Sequence, residues 1–113
     1  MLTRAHRLVS GDDYRRLVRR GRRSSTQHTV VYVTRSQTDT PVRFGFIIPK
    51  TVGVAVKRNL VRRRLKSLSH DALPNIAPGT DVVIRALPGA AQLTWDTLRA
   101  EISAVFEKGV TTK

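Results

Sequence analysis

The stretch VGVAVKRNLVRRRLKSLSH, residues 52–70, places six Lys and Arg side chains between Lys57 and Lys66, and the next acidic residue is Asp71. Its apolar and basic residues recur at spacings typical of an amphipathic helix, which we predict over residues 54–69. No acidic residue occurs from position 40 through position 70. The fold therefore has to bury one side of this helix, and a partner has to neutralise the other.

At about 100° per residue, the predicted helix has an apolar and a basic face. The apolar face, which we expect to pack on a sheet, carries Val56, Leu60, Val61, Leu65 and Leu68. The basic face carries Arg58, Arg62 and Lys66 at every fourth position, flanked by Asn59 and Arg63. Like charges at this spacing oppose helix formation by about 0.2–0.5 kcal/mol per pair. Their retention without acidic neighbours favours contact with phosphates over a merely solvated face.

Lys57 and Arg64 do not follow this division, because both fall within the apolar arc. We expect them at its solvent edge, with their aliphatic stems along neighbouring side chains. Geometry alone therefore assigns neither residue to the basic face.

The composition also favours a polyanionic partner. The chain has 113 residues, 21 basic and 8 acidic, and a net charge of +13, which repels itself unless a polyanion is bound. The length predicts one domain, residues 1–113, with a flexible tail at 108–113. No apolar run approaches the roughly 20 residues of a membrane span, and the N-terminal residues lack the apolar core of a signal peptide. Cysteine is absent, which excludes disulfides and cysteine zinc sites. We therefore expect an intracellular protein.

Helix and strand signals flank the basic helix on both sides. Ser10 and Asp13 fit a capping box for a helix over residues 11–20. The β-branched segment 28–36 and the segment 42–49 are predicted strands, which we expect to pair as an antiparallel hairpin. A further strand is predicted at 80–87, and a last helix follows Thr94 and ends at Gly109. The order helix, strands, helix, strand, helix predicts an α+β sandwich with helices on a small sheet.

The central stretch resembles the protein subunit of bacterial ribonuclease P, whose signature is Gly-x-Ala-Val-x-Arg-Asn before a basic helix. The matching residues are Gly53, Ala55, Val56, Arg58 and Asn59. The segments DDYRRLVRRGRR, HTVVYV, RFGFIIPK and PGTDVVIRALPGAAQLTW resemble the rest of the family's chain in the same order. Two departures stand out: Leu60 replaces a third basic residue, and Val18 replaces a second aromatic residue on the first helix.

The resemblance implies a two-layer α/β sandwich of the order α-β-β-β-α-β-α with a left-handed β-α-β crossover, as in a domain of a ribosomal protein. It requires one strand more than periodicity predicts, and the segment 22–25 is the expected place. It implies a subunit that assists a catalytic RNA in removing the 5' leader from precursor tRNA, in the bacterial cytoplasm. No membrane and no small-molecule substrate is expected to take part.

Two sets of site residues follow from the resemblance. The residues expected to bind the ribozyme RNA are Lys50, Lys57, Arg58, Asn59, Arg62, Arg63 and Lys66. The residues expected to form a cleft for the single-stranded leader are Tyr14, Val18, Tyr32 and Phe46. A core position is the alternative for these cleft residues, above all for Phe46, since one face of a strand must be buried.

No residues are predicted to be catalytic. Only Asp12 and Asp13 adjoin each other among the acidic residues, and His6, His28 and His70 are scattered. A protein nuclease normally needs clustered carboxylates or a histidine pair. The resemblance implies Mg²⁺ as the cofactor, which is expected to be held mainly by the RNA subunit.

Two other functions fit the same composition. A noncatalytic RNA-binding protein, such as a small ribosomal protein or an RNA chaperone, would use a similar charge and sandwich. A DNA-binding domain is disfavoured because a helix that reads bases should mix Asn, Gln or Ser among its basic residues.

Overall fold

The basic helix connects two strands that lie side by side. The computed structural model describes residues 2–110. The helices are α1 (Gly11–Arg20), α2 (Ala55–Ala72) and α3 (Trp95–Gly109), and the strands are β1 (Arg22–Ser25), β2 (Thr29–Arg35), β3 (Arg43–Ile47) and β4 (Thr80–Ala86). Short 3-10 turns lie at Arg4–His6, Lys50–Val52, Leu73–Asn75 and Ala90–Gln92. No helix within residues 2–110 has the length and apolar character of a membrane span.

The four strands form one mixed sheet in the order β1-β2-β4-β3. β2 pairs antiparallel with both β1 and β4, whereas β3 and β4 are parallel. The strand Arg22–Ser25 confirms the additional strand expected from the resemblance. α2 is thus the crossover of a β-α-β unit, and the left-handed sense of that crossover stays a prediction.

The predicted hairpin between the segments 28–36 and 42–49 is wrong. Both segments contain strands, but β4 lies between β2 and β3, and β1 is the hairpin partner of β2. Val82, Val83 and Ile84 of β4 are fully buried, as expected for a central strand that is covered on both faces. The short polar connection between β2 and β3 favoured a hairpin, but the apolar run of β4 takes the central place.

Helices cover both faces of the sheet. α2 and α3 bury one face in the main core, to which the strands contribute Val31, Val33, Phe44, Val82 and Ile84. α1 covers a smaller core on the other face, formed by Leu8, Leu17, Val30, Tyr32 and Val83. The sheet with α2 and α3 gives the predicted sandwich, and α1 creates a separate surface on its far side.

The apolar face predicted for α2 is correct only in part. Val61, Leu65 and Leu68 are buried and Leu60 is half-buried, but Val56 is 77% exposed. Val56 precedes Leu65 by nine residues, which is two and a half turns at about 3.6 residues per turn. Val56 therefore lies opposite Leu65, on the solvent side of the first turn.

The beginning of the predicted tail 108–113 belongs to the folded domain. α3 continues through Gly109, and Val110 is fully buried. Arg35 donates hydrogen bonds to the carbonyl oxygens of Gly109 and Val110, at 3.0 and 2.8 Å. These contacts attach the end of α3 to β2. Residues 111–113 of the predicted tail lie outside the described residues.

Candidate nucleic-acid interface

The chain enters α2 through a turn that requires glycine. Gly53 has a φ of +152°, a conformation that residues with side chains rarely adopt, and a Cβ there would lie 3.0 Å from the Cβ of Lys57. Lys50, in the turn just before Gly53, and Lys57, in the first turn of α2, are both exposed. The tight turn thus places two lysines at the N-terminal end of the basic helix.

The middle of α2 presents a continuous basic surface. Asn59, Arg62, Arg63 and Lys66, which we call the α2 basic face, line a shallow groove of about 490 Å³ together with Ser67 and His70. Arg62 donates a hydrogen bond to the side-chain oxygen of Asn59 at 3.1 Å. Within residues 2–110, none of the three basic side chains forms an ion pair. Their charge is therefore available to a partner.

Arg58 and Arg64 differ from the α2 basic face. The Nε of Arg58 donates to the carbonyl oxygen of Gly53 at 3.2 Å, so this half-buried side chain also stabilises the turn. Arg64 donates to the carbonyl oxygen of Leu93 at 2.8 Å, which directs it to the other flank of the helix. Arg64, which helical geometry left unassigned, therefore lies away from the α2 basic face.

Ser67 and His70 were not predicted to belong to the groove on α2. Ser67 follows Arg63 by four residues, and His70 follows Lys66 by four. The i, i+4 spacing that identified the basic residues would have found both side chains. The prediction missed Ser67 and His70 because it chose residues of α2 mainly by their positive charge.

α1 presents Tyr14 to the edge of the sheet. Ser10 caps the helix by accepting a hydrogen bond from the backbone N–H of Asp12 at 3.2 Å. The hydroxyl of Tyr14 accepts from the backbone N–H of Phe46 at 3.1 Å and donates to the carbonyl oxygen of Leu8 at 3.4 Å. A Cβ on Gly45 would lie 2.6 Å from the Tyr14 ring. The ring therefore occupies the space above Gly45.

On the side of α1 away from Tyr14, ion pairs attach the helix to the sheet. Arg43 of β3 donates two hydrogen bonds to the carboxylate of Asp81, at 3.0 and 2.8 Å, and Arg16 of α1 reaches the same carboxylate at 3.2 Å. Asp13 lies 3.3 Å from Arg16 and 3.5 Å from Arg43. The hydrogen bond with Asp81 raises the pKa of the Arg43 guanidinium. This network fills the space between α1 and the sheet on that side.

The other side of α1 is open. Here a groove of about 400 Å³, which we call the α1 groove, runs between the helix and the sheet. Its lining residues are Tyr14, Arg15, Val18 and Arg19 from α1 with Ile47 and Arg85 from the sheet. Two of the predicted cleft residues, Tyr14 and Val18, are therefore brought together. Val18 remains 39% exposed, although it is apolar.

The other two predicted cleft residues lie elsewhere. Tyr32 is only 7% exposed and belongs to the core beneath α1, where its ring offers no free face to a base. Phe46 lies on the α2 side of the sheet, parallel to Phe44 at a ring-centroid distance of 6.4 Å. Successive strand residues point to opposite faces, so Phe46 cannot share the face of Gly45 and Ile47.

Phe46 contributes instead to a hollow at the outer edge of β3. Residues of the N-terminal segment, three aromatic residues and two residues of α2 line this hollow. They are Arg7, Leu8, Val9, Tyr14, Phe44, Phe46, Arg62 and Lys66. Tyr14 thus borders both this hollow and the α1 groove. The α1 groove and the α2 basic face are therefore adjacent across one edge of the sheet.

The sequence and the fold are similar to those of ribonuclease P proteins. A sequence model described as Ribonuclease P matches residues 2–109. The ribonuclease P protein component of Clavibacter michiganensis subsp. michiganensis is 52% identical over 112 residues, which are 99% of each chain. That of Kocuria rhizophila is 43% identical over 97% of this chain and 96% of its own.

Solved structures show the same fold at lower identity. The ribonuclease P protein of Staphylococcus aureus superposes with a TM-score of 0.86 at 22% identity, over 96% of this chain and 100% of its own. That of Thermotoga maritima superposes with a TM-score of 0.79 at 19% identity, over 90% of this chain and 96% of its own. From the family match and the near full-length relatives, the chain belongs to the ribonuclease P protein family.

Proposed function

We propose that this ribonuclease P protein binds a catalytic RNA subunit through α2 and the single-stranded 5' leader of precursor tRNA through the α1 groove. The observation that carries the proposal is the presence of two neighbouring surfaces of different chemistry. The basic side chains of the α2 basic face form no ion pair with an acidic residue within residues 2–110. The α1 groove combines an aromatic and aliphatic floor with arginine side chains.

The α2 basic face is suited to the phosphates of a structured RNA. Arg62, Arg63 and Lys66 project from one rigid helix, and Lys50, Lys57 and Arg58 extend the charge to its N-terminal end. Each cation that neutralises a phosphate releases counterions, which makes binding strong and steeply dependent on salt. A rigid array of this kind fixes the position of the protein on the RNA without reading its sequence.

The α1 groove is suited to unpaired nucleotides. Tyr14 offers an aromatic ring, and Val18 and Ile47 offer apolar contact. Stacking of a base on an aromatic side chain contributes about 1–3 kcal/mol and tolerates any base. Leaders of varied sequence would therefore be bound.

The protein's own residues support a division of labour in which the RNA performs the cleavage. Asp13 and Asp81 are held by arginines, and Asp12 pairs with Arg15. His28 and Glu101 lie 3.3 Å apart and are both largely buried. Among the described residues, this is the only histidine–carboxylate pair that is not exposed. Glu101 also accepts the backbone N–H of His28 at 2.8 Å, so this pair attaches α3 to the beginning of β2.

Mg²⁺ is proposed to be held mainly by the RNA subunit. Hard cations such as Mg²⁺ prefer clustered oxygen ligands. Within residues 2–110, no group of three or more His, Asp or Glu side chains is arranged to hold a metal ion. The described residues therefore offer no cluster that would hold the ion by protein ligands alone, which supports a contribution of the protein that consists of binding and orienting RNA. We further propose that it acts in the bacterial cytoplasm, where its RNA partners are transcribed.

Reconstitution tests the proposal. The protein is combined with the ribonuclease P RNA of the same organism and a precursor tRNA at low Mg²⁺ concentration. We expect faster 5' cleavage than with the RNA alone, because the protein screens phosphate repulsion and binds substrate. An unchanged cleavage rate would contradict the proposal and favour a noncatalytic RNA-binding role.

The leader surface is tested separately with Tyr14→Ala. In the reconstituted holoenzyme, we expect this change to weaken binding of precursor tRNA about fivefold or more, since one stacking contact is lost. Binding of mature tRNA, which has no leader, should be unchanged. Equal losses for both RNAs would exclude the α1 groove as the leader site.

A further inference from the structure

Two arginines that have no acidic partner in the described part of the chain line the α1 groove, one from α1 and one from the sheet. We propose that Arg19 and Arg85 bind backbone phosphates of the leader, so that the leader is held by its backbone while its bases contact the apolar residues of the groove. This inference rests on the proposed leader binding and names residues that neither the signature motif nor helix periodicity indicates.

Arg85 occupies a position where the fold does not require a charge. It lies on the central strand β4, next to Ile47 of β3 and Val30 of β2 in the register. The neighbouring residues Ile84 and Ala86 are fully buried, whereas Arg85 is exposed. No side chain among residues 2–110 forms an ion pair or hydrogen bond with its guanidinium. A cation among aliphatic neighbours on a central strand is a candidate for binding an external anion.

Arg19 is the corresponding residue on α1. Two other arginines of this helix are neutralised locally, since Arg15 pairs with Asp12, and Arg16 pairs with Asp13 and Asp81. Arg19 is exposed and has no acidic partner within the described residues. It lines the same groove as Arg85. Each wall of the groove thus provides one unpaired cation.

The floor between these arginines is apolar. Tyr14, Val18 and Ile47 separate the cations of α1 from the cation of β4. Single-stranded nucleic acid pairs these two chemistries, because bases stack on apolar or aromatic surfaces and phosphates bind guanidinium groups. An acidic peptide would use the arginines but would leave the apolar floor without a matching partner.

The test compares Arg19→Gln and Arg85→Gln in the reconstituted holoenzyme, with affinities for precursor and mature tRNA measured over a series of salt concentrations. We expect each change to weaken precursor binding about two- to fivefold, as for an exposed ion pair. The salt slope, which is the slope of the logarithm of the affinity against the logarithm of the salt concentration, is negative. Its magnitude for the precursor should decrease by about 0.7 per arginine, the value for one phosphate contact on a single strand. Affinity for mature tRNA should not change.

Arg20→Gln is the matched control. Arg20 is an exposed arginine of the same helix that lines its outer surface and not the α1 groove. The leader preference is the affinity for precursor tRNA divided by that for mature tRNA. If Arg20→Gln reduced it as much as Arg19→Gln does, the cause would be a general effect of net charge, and the inference would be overturned. All three positions are exposed, so the variants should keep the wild-type melting temperature.

The failure of this inference can be distinguished from the failure of the proposed function. If wild-type holoenzyme binds precursor and mature tRNA equally well, leader binding itself is absent. If Tyr14→Ala removes the leader preference while Arg19→Gln and Arg85→Gln retain it, the groove binds bases without these phosphate contacts. In that second case only the present inference is overturned.

Discussion

Tyr14 and Gly45 depend on each other. The Tyr14 ring lies where a side chain at position 45 would be, and its hydroxyl bonds the edge strand at Phe46. Glycine at position 45 is therefore explained by the close approach of a ring and not by an unusual backbone conformation. Gly45 is a positioning residue for the aromatic side of the α1 groove.

Gly45→Ala should displace Tyr14. The added methyl group would lie within 2.6–2.7 Å of two ring carbons and the hydroxyl oxygen of Tyr14, and we expect overpacking to lower the free energy of unfolding by about 1–3 kcal/mol. The leader preference of the holoenzyme should fall as with Tyr14→Ala. Thermal unfolding and precursor-to-mature affinity ratios are the measurements.

Gly11→Ala provides the control for Gly45→Ala. Gly11 is exposed at the beginning of α1, and an added Cβ would meet only the end of the Arg15 side chain, at 3.5 Å. Alanine favours a helix over glycine, so stability should be equal or slightly higher. A leader preference that survives Gly45→Ala unchanged would contradict the positioning role.

α2 combines a buried side, a solvent side and a flank that contacts the rest of the protein. The position of Arg64 on that flank follows from its bond to Leu93, which holds the turn before α3. The helix thus separates the arginines that we propose to bind RNA from one that contacts the rest of the fold. Charge counting treats these side chains as equivalent, but their contacts show that they are not.

Arg62→Ala combined with Arg63→Ala should weaken ribozyme RNA binding and reduce the magnitude of its salt slope by about two, one for each lost phosphate contact. The protein should remain folded, because neither residue forms an ion pair within residues 2–110. Affinity measured over a range of salt concentrations tests this expectation.

Arg64→Ala is the matched control on the same helix. It removes one charge and the hydrogen bond to Leu93, so we expect a lower melting temperature with a nearly unchanged salt slope. Arg64→Ala could instead reduce the magnitude of the salt slope by half as much as Arg62→Ala combined with Arg63→Ala does. The RNA would then have to contact both flanks of α2.

Periodicity and capping predicted the helices well because these signals are local. α1 agrees with its predicted bounds, and Thr94 caps α3 by accepting from the N–H of Thr97. Val56 was wrongly assigned to the apolar face of α2, because the predicted apolar face was wider than the face that the helix buries. Strand pairing was missed because it depends on β4, which lies far along the chain from β2 and β3.

The candidate site was predictable to a similar extent. Helical spacing and charge supplied the basic helix, the resemblance supplied Tyr14 and Val18, and the structure brings each of them to a groove. Tyr32 and Phe46 could not be placed from sequence, because the face that each presents depends on sheet register and on the helix that covers it. Arg85 has no local signal, since its significance arises from the opposite wall of the groove.

The net charge of +13 affects the whole molecule. Repulsion among the basic side chains destabilises the compact state, and bound anions relieve it. At low ionic strength we expect the melting temperature of the free protein to rise on addition of phosphate or polyphosphate, by the mass action of ligands that prefer the folded state.

Chloride at the same ionic strength is the reference for that measurement. It screens the charge without binding several cations at once, so the multivalent anion should raise the melting temperature further. An equal rise with both salts would mean that screening alone accounts for the effect.

The central position of β4 has a consequence for biosynthesis. β4 spans Thr80–Ala86 and enters between two strands made earlier, so β2 and β3 have no central partner until that segment has left the ribosome. Before that point the nascent chain already displays the arginines of α2 together with unpaired strand edges, a combination prone to improper association. Vectorial synthesis thus delivers the basic helix α2 before the sheet that supports it, and the last third of the chain completes the fold.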